Sequence, residues 1–166
     1  MRLAVIGSTN GTDLVPIVDA INSGELLASV EVVISNNELS GILKKAGSYG
    51  IEGHFICHKN KKRDVFDLEM SQILESKKID LILLIGFMRI LSSGFVERWR
   101  GKIINVHPSL LPKYAGGMNN SVHESVLAAG DKESGCTIHL VTKDVDRSEE
   151  HTSELQSPCD LVCRLL

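Results

Sequence analysis

The sequence predicts an α/β domain in which a mostly parallel, open sheet carries helices on both faces. Short apolar runs rich in Val, Ile and Leu alternate along the chain with segments of helical period, as in successive β-α-β units. The run Asp80–Ile85 is almost entirely apolar, as expected of a central strand that is buried on both faces of a parallel sheet. A length of 166 residues suits one such domain.

The predicted elements alternate from the first residues to residue 141. Strands are predicted at Arg2–Gly7, Ala28–Ser35, His54–Cys57, Asp80–Ile85, Lys102–His107 and Cys136–Val141. Helices are predicted at Asp13–Asn22, Leu39–Tyr49, Asp64–Lys77, from Ser92 to Trp99, and at Asn119–Ala129. In the third helix we expect Val65, Leu68 and Ile73 to be buried. We expect Ser92 to cap the helix that follows it.

Charge and composition exclude several classes of protein. The net charge of −3 gives no electrostatic reason to expect a nucleic-acid partner. The apolar run that follows Met1-Arg2 is too short for a signal peptide or a membrane span. The four cysteines, Cys57, Cys136, Cys159 and Cys163, show no metal-ligand spacing. We therefore expect a reduced, cytoplasmic protein with no nucleic-acid or membrane partner.

Two polar side chains stand near the end of the fifth predicted strand. Asn105 and His107 are two residues apart, so a strand places them on one face. Pro108 ends the strand, because proline has no N–H for the ladder. Open α/β sheets place their chemistry at the carboxyl ends of strands. An amide and an imidazole there indicate a catalytic pair, although a structural network is the simpler interpretation of Asn-x-His alone.

A loop of small residues, Ser8–Thr12, joins the first strand to the first helix. Free N–H groups and the helix macrodipole make such a junction a phosphate site. The loop has no Gly-x-Gly-x-x-Gly, so a dinucleotide site is weakly supported. A purely structural turn and cap is the alternative.

Three motifs, in order and at suitable spacing, give the chain a family resemblance. They are Asn-Val-His-Pro-Ser-Leu-Leu-Pro-Lys-Tyr at 105–114, Gly-Phe-Met-Arg-Ile-Leu at 86–91, and Gly-Cys-Thr-Ile-His-Leu-Val at 135–141 with a trailing Asp146. Together they resemble the folate-dependent formyltransferases over Met1–Asp146. The resemblance implies a Rossmann-like formyltransferase fold whose C-terminal part is missing here. The Lys-Tyr ending is most similar to the purine-synthesis branch of the family.

The resemblance implies a reaction and roles for its residues. The reaction is transfer of a formyl group from 10-formyltetrahydrofolate to the amine of glycinamide ribonucleotide, with no metal. Asn105 is expected to donate its amide N–H to the formyl oxygen, and His107 to act as protonated donor and general acid. Asp146 matches a carboxylate that keeps the imidazole charged.

Binding residues also follow from the resemblance. Gly11, Thr12 and Asp13 match the loop that holds the substrate phosphate, and Asp13 departs from the usual amide, so it could instead cap the helix. The residues expected to bind the folate are Arg63, Met88, Arg89, Ile90, Leu91 and Asn105. His139, a polar residue inside a strand, is expected to be structural or to support the catalytic residues.

Three other functions remain open at this point. Methionyl-tRNA and sugar-nucleotide formyltransferases share the Asn-x-His-Pro core. Formyltetrahydrofolate hydrolase uses a similar pair without an acceptor amine. A phosphate- or folate-binding module without catalysis is the alternative from a different class.

Residues 147–166 do not resemble the family. They resemble a translated sequencing adapter, so we expect a non-native and disordered tail after a catalytic domain at 1–146.

Overall fold

The computed structural model describes residues 1–107, 136–142 and 150–151. Its strands are β1 (Arg2–Ile6), β2 (Ser29–Ser35), β3 (Gly53–Phe55), β4 (Leu81–Ile85), β5 (Ile103–His107), β6 (Thr137–Leu140) and β7 (Glu150–His151). Its helices are α1 (Leu14–Asn22), α2 (Gly41–Ser48), α3 (Arg63–Ser76) and α4 (Ser93–Arg98). The predicted helix at Asn119–Ala129 lies outside the described residues, as does the predicted tail except for the two residues of β7. The tail therefore stays a prediction.

The strands form one sheet in the order β3-β2-β1-β4-β5-β6-β7. Strands β1 to β5 pair in parallel, and β6 and β7 are antiparallel to their neighbours. The predicted mostly parallel sheet with β4 at its centre is confirmed. The chain runs outward from β1 to β3 and then returns to β4. The carboxyl ends of β1 and β4 therefore flank the point where an open α/β sheet forms a binding crevice.

Each face of the sheet has its own core. Strand residues that alternate along β1, β2 and β4 point to opposite faces, so one set packs against α1 and α2 and the other against α3 and α4. The core on the face that carries α3 and α4 contains Phe66, Met70 and Leu74 from α3, all fully buried, together with Phe95 and Trp99. Helices on both faces follow, as the sequence predicts.

Helix α3 is rotated about its axis relative to the prediction. Val65 and Leu68 are 48% and 49% exposed, so the expectation that they are buried is wrong. Ile73 packs against the core as expected. The error arises because the buried face also carries two polar residues, Asp67 and Ser71, which a count of apolar residues assigns to solvent.

Both buried polar residues of α3 accept hydrogen bonds from the segment around α4. The main-chain N–H of Ser92 donates to Asp67 Oδ2 at 2.6 Å. The indole Nε1–H of Trp99 donates to Ser71 Oγ at 3.2 Å. These bonds satisfy polar groups that would otherwise be costly to bury.

Ser92 and Ser40 provide a matched test of helix capping. Ser92 Oγ accepts from the N–H of Phe95 at 3.2 Å, so the predicted cap is confirmed. Ser40 precedes α2 without a side-chain capping bond, and its buried Oγ has no partner among the described residues. Ser92→Ala is expected to lower the free energy of unfolding by about 1 kcal/mol. Ser40→Ala should leave it unchanged or raise it, because an unpaired buried hydroxyl is removed. Urea unfolding of both variants checks this, and an equal loss would contradict it.

Candidate active site

Two loops meet at the crevice between β1 and β4. The loop after β1 and the loop after β4 are joined by the N–H of Ser8, which donates to Gly86 O at 3.1 Å. The N–H of Met88 donates to Ser8 Oγ at 2.9 Å. Gly86 has φ +56°, and a Cβ there would lie 2.3 Å from Thr9 Oγ1, so this close approach requires glycine. The two loops therefore form one continuous surface.

A cavity of about 380 Å³ opens beside the loop after β4. All the residues predicted to bind folate line it except Met88, namely Arg63, Arg89, Ile90, Leu91 and Asn105. Its other walls are largely apolar and include Leu84, Phe87, Val96, Leu140 and Val141. The main chain of Met88 instead joins the loop to Ser8. A mostly apolar cavity with two guanidinium groups suits a flat organic ligand that carries an anionic group.

The guanidinium of Arg89 lies over a buried aromatic ring. Its Cζ is 4.9 Å from the ring centroid of Phe66, within the range of a cation–π interaction. Phe66 is fully buried in α3, so the ring is a fixed support. Arg89 is thus held at the cavity wall by the same helix that begins with Arg63.

Asn105 meets a second histidine inside the cavity. Its Nδ2 lies 3.2 Å from His139 Nε2, and His139 Nδ1 lies 3.3 Å from the carbonyl of Leu140. This geometry fits a neutral imidazole that donates from Nδ1 and accepts from the amide at Nε2. Among the described residues, the second N–H of the Asn105 amide then has no protein acceptor and is available to a ligand. His139 therefore orients the amide that the sequence identified.

The sequence did not place His139 among the site residues. Strand β6 runs antiparallel to β5 with Asn105 opposite His139, and both line the cavity. The sequence pattern gives the strand but not its direction or register, so this contact is visible only in the structure.

His107 lies two residues beyond Asn105 on β5, at its carboxyl end, and is half-buried opposite Thr137. The alternation of a strand places both side chains on the face that carries α3 and α4. Asp146 and the motif residues after His107 lie outside the described residues. The role of Asp146 toward the imidazole stays a prediction.

The predicted phosphate loop lies beside α1. Gly11 is buried with φ +59°, and a Cβ there would lie 2.3 Å from Ile42 Cγ1. Thr12 is exposed. Asp13 stands at the N-cap position but has helical backbone angles and no side-chain capping bond, so the capping interpretation is wrong. An N-cap side chain reaches the first-turn N–H groups only from an extended backbone conformation.

Asp13 is partly withdrawn from water, and burial raises its pKa. Burial, followed by the negative charge of Asp13, raises the pKa of the Cys136 thiol. That electrostatic contact places the start of β6 close to the phosphate loop. The predicted phosphate loop and the end of β5 therefore lie at the same end of the sheet, where the parallel strands have their carboxyl ends.

No group of three or more His, Cys, Asp and Glu side chains among the described residues is arranged to hold a metal ion. No helix in the described part of the chain has the length and apolar character to cross a bilayer.

Comparison with known proteins identifies the family. Residues 1–149 match the family described as formyl transferase. The chain belongs to the formyl transferase family. It is 40% identical over 146 residues to phosphoribosylglycinamide formyltransferase of Haemophilus influenzae. This match covers 87% of this chain and 68% of that protein. It is also 42% identical over 149 residues to the trifunctional purine biosynthetic protein adenosine-3 of Bos taurus, covering 89% of this chain.

Solved structures of formyl transferases share the fold. Glycinamide ribonucleotide transformylase 1 from Symbiobacterium toebii superposes with a TM-score of 0.84 at 31% identity, covering 92% of this chain and 71% of that one. This formyl transferase chain spans only 14% of the length of the bovine protein.

Proposed function

We propose that this formyl transferase moves a formyl group from 10-formyltetrahydrofolate to the amine of glycinamide ribonucleotide, a step of purine biosynthesis in the cytoplasm. The observation that carries the proposal is the cavity in which the Asn105 amide faces apolar walls and two arginines. The names of the relatives, phosphoribosylglycinamide formyltransferase and glycinamide ribonucleotide transformylase, support the same substrate.

The cavity suits a formyl-folate in both shape and charge. A pterin ring is flat and can pack against Ile90, Leu91 and Val141, which line the walls. The tail of a folate ends in carboxylates, for which the guanidinium groups of Arg63 and Arg89 are suitable partners. A donor placed in this way would bring its formyl group toward Asn105.

The residues at the end of β5 can then assist the transfer. As the amine nitrogen bonds to the formyl carbon, negative charge develops on the formyl oxygen. Asn105 donates one N–H to that oxygen, and protonated His107 donates a second. When the bond from the formyl carbon to the folate nitrogen breaks, His107 supplies the proton that this nitrogen takes up. The proton that the attacking amine loses then restores the protonated imidazole. Preorganised donors of this kind account for about 10²–10³ in rate each.

Asp13 provides a prediction on the phosphate loop. Its raised pKa means that the folded protein holds the proton to a higher pH than the unfolded chain does. Its stabilising contribution is complete below the ordinary pKa of 3.8 and is lost as the pH rises through the folded-state pKa. Asp13→Asn is therefore expected to be more stable than wild type at pH 7 and to lose this pH dependence.

The same substitution should improve substrate binding, because an amide donates to a phosphate and a carboxylate repels it. We expect a severalfold lower KM for glycinamide ribonucleotide with little change in kcat. Denaturant unfolding between pH 3 and 8 and steady-state kinetics measure the two effects. An unchanged KM would remove Asp13 from the phosphate site.

One assay tests the proposed function. The protein encoded by the complete reading frame of the gene is supplied with 10-formyltetrahydrofolate and a panel of acceptors. The panel contains glycinamide ribonucleotide, methionyl-tRNA, a sugar-nucleotide amine and water alone. Formylation of glycinamide ribonucleotide is expected. Formate release without an acceptor would indicate a hydrolase, formylation of another amine would indicate a different branch, and folate binding without turnover would indicate a binding module.

A further inference from the structure

The loop that carries the folate-site residues is fixed at both ends by side chains from distant parts of the chain. Near its start, the main-chain N–H of Met88 donates to Ser8 Oγ at 2.9 Å. At its end, the main-chain N–H of Ser92 donates to Asp67 Oδ2 at 2.6 Å. The cavity residues Arg89, Ile90 and Leu91 lie between these two anchors.

Asp67 is an unusual residue for its position. It is 3% exposed and lies on the face of α3 that packs into the core between Phe66 and Met70. Burying a carboxylate costs several kcal/mol unless it is paired or hydrogen-bonded. A short bond from a main-chain N–H to a carboxylate is among the stronger hydrogen bonds of proteins. The hydrogen bond offsets part of the cost of burying the Asp67 carboxylate, and it fixes the position of Ser92.

Ser8 anchors the other end through a two-bond chain. Its hydroxyl accepts from Met88 N and donates to Asn36 Oδ1 at 2.6 Å. Asn36 in turn lies 3.4 Å from His58 Nδ1 through its Nδ2. Because the hydroxyl hydrogen of Ser8 points to Asn36, a lone pair of the hydroxyl oxygen faces the N–H of Met88. The loop is thereby tied to the ends of β1 and β2.

We propose that Ser8 and Asp67 are positioning residues for the formyl donor, acting through the loop between Met88 and Ser92. Neither Ser8 nor Asp67 lines the cavity. Each holds a main-chain N–H that fixes the backbone from which Arg89, Ile90 and Leu91 extend. A preformed site avoids the entropy of ordering the loop when the donor binds. The inference rests on the proposed function only in taking a formyl-folate as the ligand of this cavity.

Substitutions at the two anchors test the inference. Ser8→Ala and Asp67→Ala are each expected to raise the KM for 10-formyltetrahydrofolate about tenfold, the equivalent of one hydrogen bond of about 1.4 kcal/mol. The KM for glycinamide ribonucleotide and kcat should change less than twofold. Ser8→Thr and Asp67→Asn keep an acceptor oxygen and should recover most of the donor affinity. In the ligand-free protein, amide hydrogen exchange should be faster at residues 88–92 in the alanine variants.

Two matched controls separate positioning from general stability. Ser71→Ala removes a buried hydroxyl from the same helix as Asp67, but its partner is the Trp99 indole. Ser35→Ala removes a buried hydroxyl at the end of β2 whose bonds stay within its own turn, to Asn37. Both should lower stability without raising the donor KM or the exchange rate at 88–92.

The outcomes distinguish the two proposals. Unchanged exchange at residues 88–92 in Ser8→Ala and Asp67→Ala would overturn the positioning inference, whatever the kinetics. So would an equal rise of the donor KM in the two control variants. Faster exchange in a protein whose wild type binds no formyl-folate would leave the anchors in place and contradict the proposed function instead. If Asp67→Ala does not fold, Ser8→Ala provides the exchange measurement by itself, with Ser8→Thr as its conservative control.

Discussion

Asn105→Ala is expected to lower the rate of formyl transfer about 10²–10³-fold while the protein stays folded. The amide is oriented by His139 and faces the cavity, so its loss removes a preorganised donor to the formyl oxygen. His107→Ala should cause a loss of similar or greater size, because general acid catalysis contributes about 10²–10⁴. Rapid-quench measurement of formyl transfer with both substrates saturating tests the two variants.

The control for these variants is a remote asparagine. Asn22 is exposed at the end of α1, away from the cavity, so Asn22→Ala should keep the wild-type rate. Thermal unfolding should give similar midpoints for all three variants. A wild-type-like rate in Asn105→Ala or His107→Ala would remove that residue from the mechanism.

Gly11→Ala is expected to lower the free energy of unfolding by about 2–5 kcal/mol. A left-handed backbone costs a residue with a Cβ about 1–2 kcal/mol, and overpacking adds about 1–3 kcal/mol. The added methyl group would lie 2.3–2.7 Å from three atoms of the Ile42 side chain, which is fully buried. Urea unfolding measures the change.

Two other glycines separate the two causes. Gly24 has φ +80° with nothing within 4 Å of a Cβ, so Gly24→Ala should cost only the backbone term of about 1–2 kcal/mol. Gly47 lies in α2 with open space around it, and Gly47→Ala should stabilise the protein by about 0.5–1 kcal/mol. A Gly11→Ala loss no larger than that of Gly24→Ala would mean that Ile42 moves aside at no cost.

Local patterns were sufficient for the strands β1 to β6 and for one cap. The apolar run at Asp80–Ile85 predicted the central strand because a strand that is buried on both faces consists almost entirely of apolar residues. Ser92 was predicted as a cap because its side chain acts on a main-chain N–H only three residues away. Both inferences depend on interactions within a few residues of each other.

Tertiary contacts decided what the sequence could not supply. The buried face of α3 was misassigned because Asp67 and Ser71 are buried through bonds to residues 25 and 28 positions away. His139 was left out of the site because its partner depends on the direction of β6. Capping of α1 was the alternative interpretation of Asp13, and its backbone angles and missing capping bond contradict it.

The family resemblance identified residues that the structure places around one cavity, but not what fixes their loop. Arg63, Arg89, Ile90, Leu91 and Asn105 were carried over from motifs, and the structure brings them around one cavity. The anchor at Ser8 lies 80 positions from Met88, and no local pattern links them.

We expect Asn105 and His107 together to hold the formyl oxygen of a donor bound in this cavity. The most direct test is a crystal structure of the protein with glycinamide ribonucleotide and a non-transferable analogue of 10-formyltetrahydrofolate. We predict the analogue's carbonyl oxygen at about 2.7–3.1 Å from both Asn105 Nδ2 and a His107 ring nitrogen. An analogue bound outside the cavity, or a carbonyl oxygen beyond hydrogen-bond distance of both side chains, would contradict the mechanism.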